Sequence, residues 1–257
     1  MPTTRQNFTP TIVEPASFRK LASLSDISRE DLQALSSIPF NDLTISRNRS
    51  LVDPLNDPLK CFIIATGWAY SFAVMPNGRR QVFQIYQEGD VIGFEDLMFK
   101  KNVFPVTAIT NCRLANISTD QMRSFLARNV RLSSYLYAMN NLNHVVLMDR
   151  MQVIARLEPK PRMAHFLMEI MSRTRVTSDF HNGRKADSMV FNLPMRQGLV
   201  ADCIGMSAVH VSRTLSWFVD EKIISRPARH IFEVHDEQRM MEMSGFRNRY
   251  ETITRMG

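Results

Sequence analysis

At 257 residues the chain is long enough to bury a sizeable core and divides most naturally into two domains. Its composition is that of an ordinary globular protein, no apolar run is long enough to span a bilayer, and three scattered cysteines, Cys61, Cys112 and Cys203, form no C-x-x-C pair. That spacing argues against a disulfide framework, a zinc site and a clustered iron–sulfur site and fits a reducing cytoplasm, while a formal charge of +7, spread over both halves, permits a nucleic-acid partner without selecting one.

Residues 1–17 are polar and carry prolines, and read as a flexible leader with no secretory signal. Helix-like spacing over 18–43 (Leu21, Leu24, Ile27) comes with a cap at Ser28 and Asp31. From Cys61 to Phe99 the texture changes to short β-branched and aromatic runs broken by Gly67, Gly89-Asp90 and Gly93. Pro76-Asn77-Gly78 between two such runs predicts a hairpin, and Val103 to Ser118 adds two more strands, giving a compact all-β roll or barrel.

At Ser118/Thr119 the period turns helical. In the long segment Val130–Leu157, Tyr135, Met139, Leu142, Val146 and Val153 recur at alternating four and three residues. Two readings fit that spacing: a helix laid against its own domain, or a two-stranded coiled coil with a second subunit. Glu158-Pro159-Lys160-Pro161 then stops the helix and predicts a hinge and domain boundary.

Beyond it, an amphipathic helix runs through Met163, Phe166, Leu167, Ile170 and Met171, followed by a polar loop over 177–188 and a short strand in "MVFNLP". Ala201, Gly205 and Val211 in "VADCIGMSAVHVSRTLSWF" carry the spacing of a helix-turn-helix: a small residue for close approach, a turn glycine and a buried branched residue. With Ser207 as N-cap, Val211, Leu215 and Phe218 form the inner face of a helix over 207–218, and Val209, Ser212, Arg213 and Ser216 the outer one. An arginine, two serines and a valine suit base edges in a groove. "IISRPARHIFEV" predicts a hairpin wing whose Arg226 and Arg229 meet phosphates. The candidate DNA-binding set is therefore Arg196, Gln197, Ser207, Val209, His210, Ser212, Arg213, Ser216, Arg226 and Arg229. Cys203 reads as a small core residue rather than a redox switch. The tail after Asp236 reads as a short helix through Met240, Met243 and Phe246.

Three stretches in this order, the roll with its "GDVIG" turn, the long helix and the winged motif, resemble the Crp/Fnr superfamily of bacterial transcription regulators from Phe18 to Asp236. The resemblance implies an α+β fold: an N-terminal cyclic-nucleotide-binding-like β-roll (18–128), a long dimerisation helix (129–158), a C-terminal winged helix-turn-helix (159–237) and a C-terminal helix and tail (238–257). It implies a non-enzymatic homodimer on palindromic double-stranded DNA, with RNA polymerase as an expected further partner, no membrane partner, and dimer contacts through Tyr135, Met139, Leu142, Val146 and Val153. No G-x-S-x-G, P-loop or H-E-x-x-H motif points to an enzyme.

The departures narrow the branch. Members that bind cyclic AMP carry Gly-Glu after the GDxxG turn and Arg-Ser on the next element. Here Phe94 follows Gly93, and "KKNVFPVT" offers only Asn102 and Val103 at the Arg-Ser place. The possible effector pocket, Gly93, Phe94, Glu95, Asn102 and Val103, thus lacks the phosphate-binding arginine, although Lys100 or Lys101 is close by. No cysteine precedes Cys61, so the iron–sulfur ligands of Fnr-type members are missing, and no cofactor or metal is expected. A FixK-like or effector-less regulator is the expectation. The alternative is a cyclic-nucleotide- or haem-responsive sensor of the same fold, with His144, Cys61 or Cys112 as conceivable haem ligands. Many Fnr-like members carry E-x-x-S-R on the recognition helix; Val209 replaces that glutamate here and implies a different half-site.

Overall fold

A computed structural model describes residues 28–38, 40–182 and 189–250. The leader, the 18–27 part of the first expected helix, the 183–188 part of the polar loop and the last seven residues lie outside the described residues. The chain divides into two compact units, Met1–Tyr70 with Ile85–Ala138, and Ser71–Gln84 with Met139–Gly257.

In the first unit, α1 (Arg29–Ser36) opens with the capping box read from the sequence: Ser28 Oγ accepts from Asp31 N and Asp31 accepts from Ser28 N. The chain then leaves helix sooner than the spacing suggested. β1 (Asn41–Ile45) pairs antiparallel with β8 (Cys112–Ser118), because Leu43 and Ile45 alternate onto the roll's core. The other strands are β2 (Ser50–Val52), β3 (Lys60–Thr66), β6 (Val91–Ile92) and β7 (Val106–Ala108), with β4 (Ala69–Val74) and β5 (Arg80–Tyr86) lying mostly in the Ser71–Gln84 stretch of the second unit; the two four-stranded sheets have the orders β1-β8-β3-β6 and β2-β7-β4-β5. Phe62, Ile64, Tyr86, Ile92, Val106 and Leu114 fill the space between. The Pro76-Asn77-Gly78 hairpin forms as expected: Gly78 N donates to Met75 O and Arg79 N to Asn77 Oδ1.

A second capping box, Ser118 with Gln121, starts α2 (Thr119–Arg128), and α3 (Val130–Arg156) follows. α3 buries one face against its own chain and exposes the other. Tyr135, Val146 and Val153 are only 3%, 7% and 9% exposed and pack into the protein's own interior, while Met139 and Leu142 are half-buried. They are therefore not a free seam, which corrects the expected dimer contacts. The outward stripe lies on the opposite side, about 140–180° round the helix: Val130, Ser134, Tyr137, Asn141, His144, Met148, Met151 and Ala155. Val130, Tyr137 and Met151 are 73%, 64% and 63% exposed, and this stripe too keeps strict four-three spacing.

In the second unit, Pro159 opens α4 (Pro159–Asn182), where a missing N–H costs nothing. The helix runs through the first residues of the expected loop to Asn182. It is not amphipathic: Met163, Ala164, Phe166, Leu167, Met168, Ile170 and Met171 are all buried, because the neighbouring elements surround it. Those elements are β9 (Val190–Asn192), α5 (Gln197–Ile204), α6 (Ala208–Asp220) and α7 (Glu237–Ser244). β10 (Ile224–Ala228) and β11 (Ile231–Val234) join β9 in a three-stranded antiparallel sheet of order β10-β11-β9. Four polar side chains of α4, His165, Glu169, Ser172 and Arg173, are buried as well. Glu169 takes a two-pronged bond from Arg150, with Nε to Oε2 at 2.6 Å, and has Arg173 at 3.9 Å. Arg150 also donates to Phe83 O at 2.8 Å. Among the described residues no helix is long and apolar enough to cross a membrane.

Candidate nucleic-acid interface

α5 ends on Gly205, whose φ of +65° gives the left-handed turn between the two helices. Ser207 caps α6 as predicted, its Oγ accepting from His210 N at 3.2 Å. That hydroxyl is spent on the helix end. Val211, Thr214, Leu215 and Phe218 are buried, which fixes the helix's rotation against the domain. Val209, 60% exposed, and Arg213 and Ser216 face solvent; Ser212 is half-buried at the flank. The inner and outer faces read from the sequence are those the structure has.

The wing forms as a hairpin, but its turn is only Arg229-His230, and Arg226 stands within β10 rather than at the tip. The Arg226 guanidinium lies 5.1 Å from the Phe232 ring centroid and bonds Arg229 O at 3.4 Å, holding both cations on one side. Ser216, Val219, Asp220, Arg226, Ala228 and Arg229 line one open cleft of about 470 Å³ between α6 and the wing. The structure thus brings Ser216 together with Arg226 and Arg229. It leaves Val209, His210 and Arg213 at the helix's free N-terminal half, where a groove-bound helix presents its first residues to bases. Arg196 is the exposed N-cap of α5 and Gln197 its half-buried first residue. Lys160 Nζ sits 3.8 Å from the Trp217 ring and ties the start of α4 to α6. That contact had no sequence signal.

The candidate effector pocket is tightly built. A Cβ at Gly93, where φ is +80°, would stand 2.4 Å from Lys60 O. Glu95 accepts from Tyr86 Oη at 3.1 Å, Asp96 accepts from Val103 N at 3.0 Å, and Asn102 donates to Asp57 O at 3.0 Å. Burial pushes the Asp96 carboxyl above its ordinary range. It also pushes the Cys61 thiol up to about 12, with Glu95 and Asp96 adding to the effect. Asn102 is buried and turned onto the backbone, Phe94 is half-buried, and Val103 is exposed.

Cys203 is buried and its thiol is raised by that burial, so it has neither the access nor the lowered pKa of a redox switch. Cys61 and Cys112 are buried in the roll, whereas His144 is exposed on α3. Among the described residues no cluster of three or more His, Cys, Asp or Glu could hold a metal ion.

Two family models each match part of the chain, a cyclic nucleotide-binding domain over residues 54–129 and a Crp-like helix-turn-helix domain over 161–243. The nitrogen fixation regulation protein FixK of Rhizobium meliloti is 28% identical over 178 residues, 69% of this chain and 74% of that protein. FixK of Azorhizobium caulinodans is 23% identical over 65% of this chain, which spans 64% of that relative's length. The anaerobic regulatory protein of Aggregatibacter actinomycetemcomitans is 18% identical over 85% of this chain and 82% of its own. Among solved structures, FixK2 from Bradyrhizobium japonicum shares the fold with a TM-score of 0.69 at 21% identity, covering 79% of this chain and 96% of that one.

Proposed function

We propose that this chain is a transcription regulator of the Crp/Fnr type that works as a homodimer on a palindromic site, with α6 in the major groove and no requirement for a cyclic nucleotide. The observation that carries the reading is the outer face of α6: Val209 and Arg213 are exposed on its N-terminal half, and Ser216 shares a cleft with the wing cations Arg226 and Arg229. Arg213 suits a guanine edge, Val209 a thymine methyl, and the wing arginines the phosphates that set register. The second copy docks through the outward α3 stripe. Asn141 and His144 within it favour two strands in register, since a buried polar pair satisfies itself only when aligned.

Independence from cyclic nucleotides rests on chemistry in the roll. The place of the phosphate-binding Arg-Ser pair holds Asn102 and Val103, and Asn102 is already committed to Asp57 O. Glu95 and Asp96 come directly after Phe94 and would repel a cyclic phosphate. RNA polymerase is the partner through which such a dimer acts.

The test begins with selection of binding sites from random duplex DNA by the full-length protein. Fluorescence anisotropy on the selected site then follows, across a salt series and with or without cyclic AMP or cyclic GMP. An inverted-repeat site, an affinity falling steeply with salt and no change with nucleotide support the reading. Tighter binding on adding either nucleotide refutes the effector claim, and a selected site without two-fold symmetry refutes the dimer.

A further inference from the structure

Two helix ends with different tasks meet on one side chain. α3, which carries the dimer stripe, ends at Arg156, so the Leu157 carbonyl lies past the helix's own hydrogen-bond ladder. α5 ends at Ile204 and Gly205, whose carbonyls close the turn into the recognition helix. Arg162, in the first turn of α4, reaches both. Its Nε donates to Leu157 O at 2.6 Å, and its Nη1 to Gly205 O at 3.3 Å with Ile204 O at 3.5 Å. Each carbonyl belongs to the negative end of a helix dipole, so one cation serves two favourable ends. The backbone N–H of Arg162 donates to Glu158 O at 3.1 Å, and Pro159 and Pro161 hold φ on either side of Lys160. The turn has no slack. A Cβ at Gly205 would stand 3.2 Å from Ile154 Cγ2 of α3 and 3.7 Å from Arg162 Nη1.

From this geometry we infer that Arg162 is a positioning residue which fixes the angle between the dimerisation helix and the helix-turn-helix, and thereby sets the half-site spacing the dimer accepts. The inference rests on the homodimer reading given above. A guanidinium presents donors on separate nitrogens in one rigid plane, so two carbonyl groups bound to it are held in a set mutual direction. A lysine ammonium is a single point charge on a flexible stem and can satisfy one end without fixing the other. Without the fork, the second unit's helix-turn-helix turns about the proline-bounded break. The two recognition helices then reach half-sites at several separations, each less well.

The experiment takes the selected inverted repeat and inserts or deletes one and two base pairs at its centre, with a single half-site duplex as control. Wild type, Arg162→Met (stem kept, donors lost) and Arg162→Lys (charge kept, fork lost) are titrated as full-length proteins, with thermal melts and sedimentation to check folding and dimerisation. The expected result is that both variants lose about tenfold in preference for the best spacing over its neighbours while single half-site binding stays at the wild-type level. Arg162→Lys falls with Arg162→Met rather than with wild type. Equal loss at every spacing and on the half-site overturns the inference, since a merely structural arginine would do that. So does a sharp wild-type preference that both variants retain. A wild type indifferent to spacing overturns the dimer reading, and this inference with it.

Discussion

Glu169 is the side chain whose loss the second unit should tolerate least. It is 2% exposed, takes both prongs of Arg150, and has Arg173 at 3.9 Å. Burial alone would raise its carboxyl, but the attraction of Arg150, its hydrogen bonds and Arg173 outweigh that and hold it below the ordinary carboxylate range. Glu169→Ala leaves two guanidiniums buried without their shared counter-charge, which costs about 3–5 kcal/mol, a large part of the roughly 5–15 kcal/mol of a typical fold. Replacing all three members by apolar residues of similar size, Arg150→Met, Glu169→Leu and Arg173→Met, removes the unpaired charges together and should cost much less than the single change. The chain has two tryptophans, Trp68 and Trp217, so a Trp68→Phe background lets Trp217 on α6 report unfolding of the second unit alone. Urea titrations of the wild type, single variant and triple variant in that background give the comparison. A single variant within 1 kcal/mol of wild type, or a triple variant clearly worse than the single, would falsify the argument.

The remaining expectations concern the interface, the seam and pH. Arg213→Ala should weaken binding by about 1–3 kcal/mol per half-site and relax one base position, read by repeating the site selection; an unchanged selected motif removes Arg213 from base readout. Met148→Glu, on the outward stripe, should shift sedimentation toward monomer, whereas Val153→Ala on the buried face should cost about 1–3 kcal/mol of stability and leave the dimer intact. His165 is buried edge-on to Phe246 at 5.2 Å between centroids, and burial lowers its pKa. Its folded pKa therefore lies below the unfolded value of about 6.5, so the stability it gives is complete above that pH and lost as pH falls through the lowered value. His165→Asn should flatten the slope of stability in that window, with the Glu169 contribution lost only at lower pH, below the ordinary carboxylate range.

How far the sequence can be read depends on whether a feature is local. Both capping boxes, the Asn77-Gly78 hairpin, Gly205 in the turn and the Ser207 cap are signals spanning a few residues, and each forms as its residues dictate. The recognition helix is legible for the same reason: with three inner residues identified, geometry assigns its outer face. α3 misleads because both of its faces keep the four-three spacing. The more apolar set, Tyr135, Val146 and Val153, belongs to the interior, and the exposed set is broken by Ser134, Asn141 and His144. Hydrophobicity marks burial, not what buries it. The spacing of Met163, Phe166, Leu167, Ile170 and Met171 predicts one apolar face on α4, and the polar His165, Glu169 and Arg173 lie off it. Their spacing at i, i+4 and i+8 does mark one face, but nothing local shows that Arg150, on another helix, turns that face inward. The Arg162 clamp is hidden for a like reason, since its acceptors are backbone carbonyls and so leave no trace in residue identity.

These concealed contacts share a property that apolar packing lacks. Burial of methyl and methylene groups is itself non-directional: it decides which face of a helix turns inward, not the direction of any single contact. An arginine fork admits far fewer orientations. Arg150 joins α3 to α4 through Glu169, and Arg162 joins the end of α3 to the turn before α6. A dimer that reads two half-sites at one separation has to hold α6 at a fixed angle to α3, because a few degrees at the break are multiplied along the domain into ångströms at the bases. Hydrophobic area supplies stability for such a unit, whereas the guanidinium ties supply its angle. Replacing them by apolar groups is therefore expected to leave the fold standing and blur the operator, and the two effects can be measured separately.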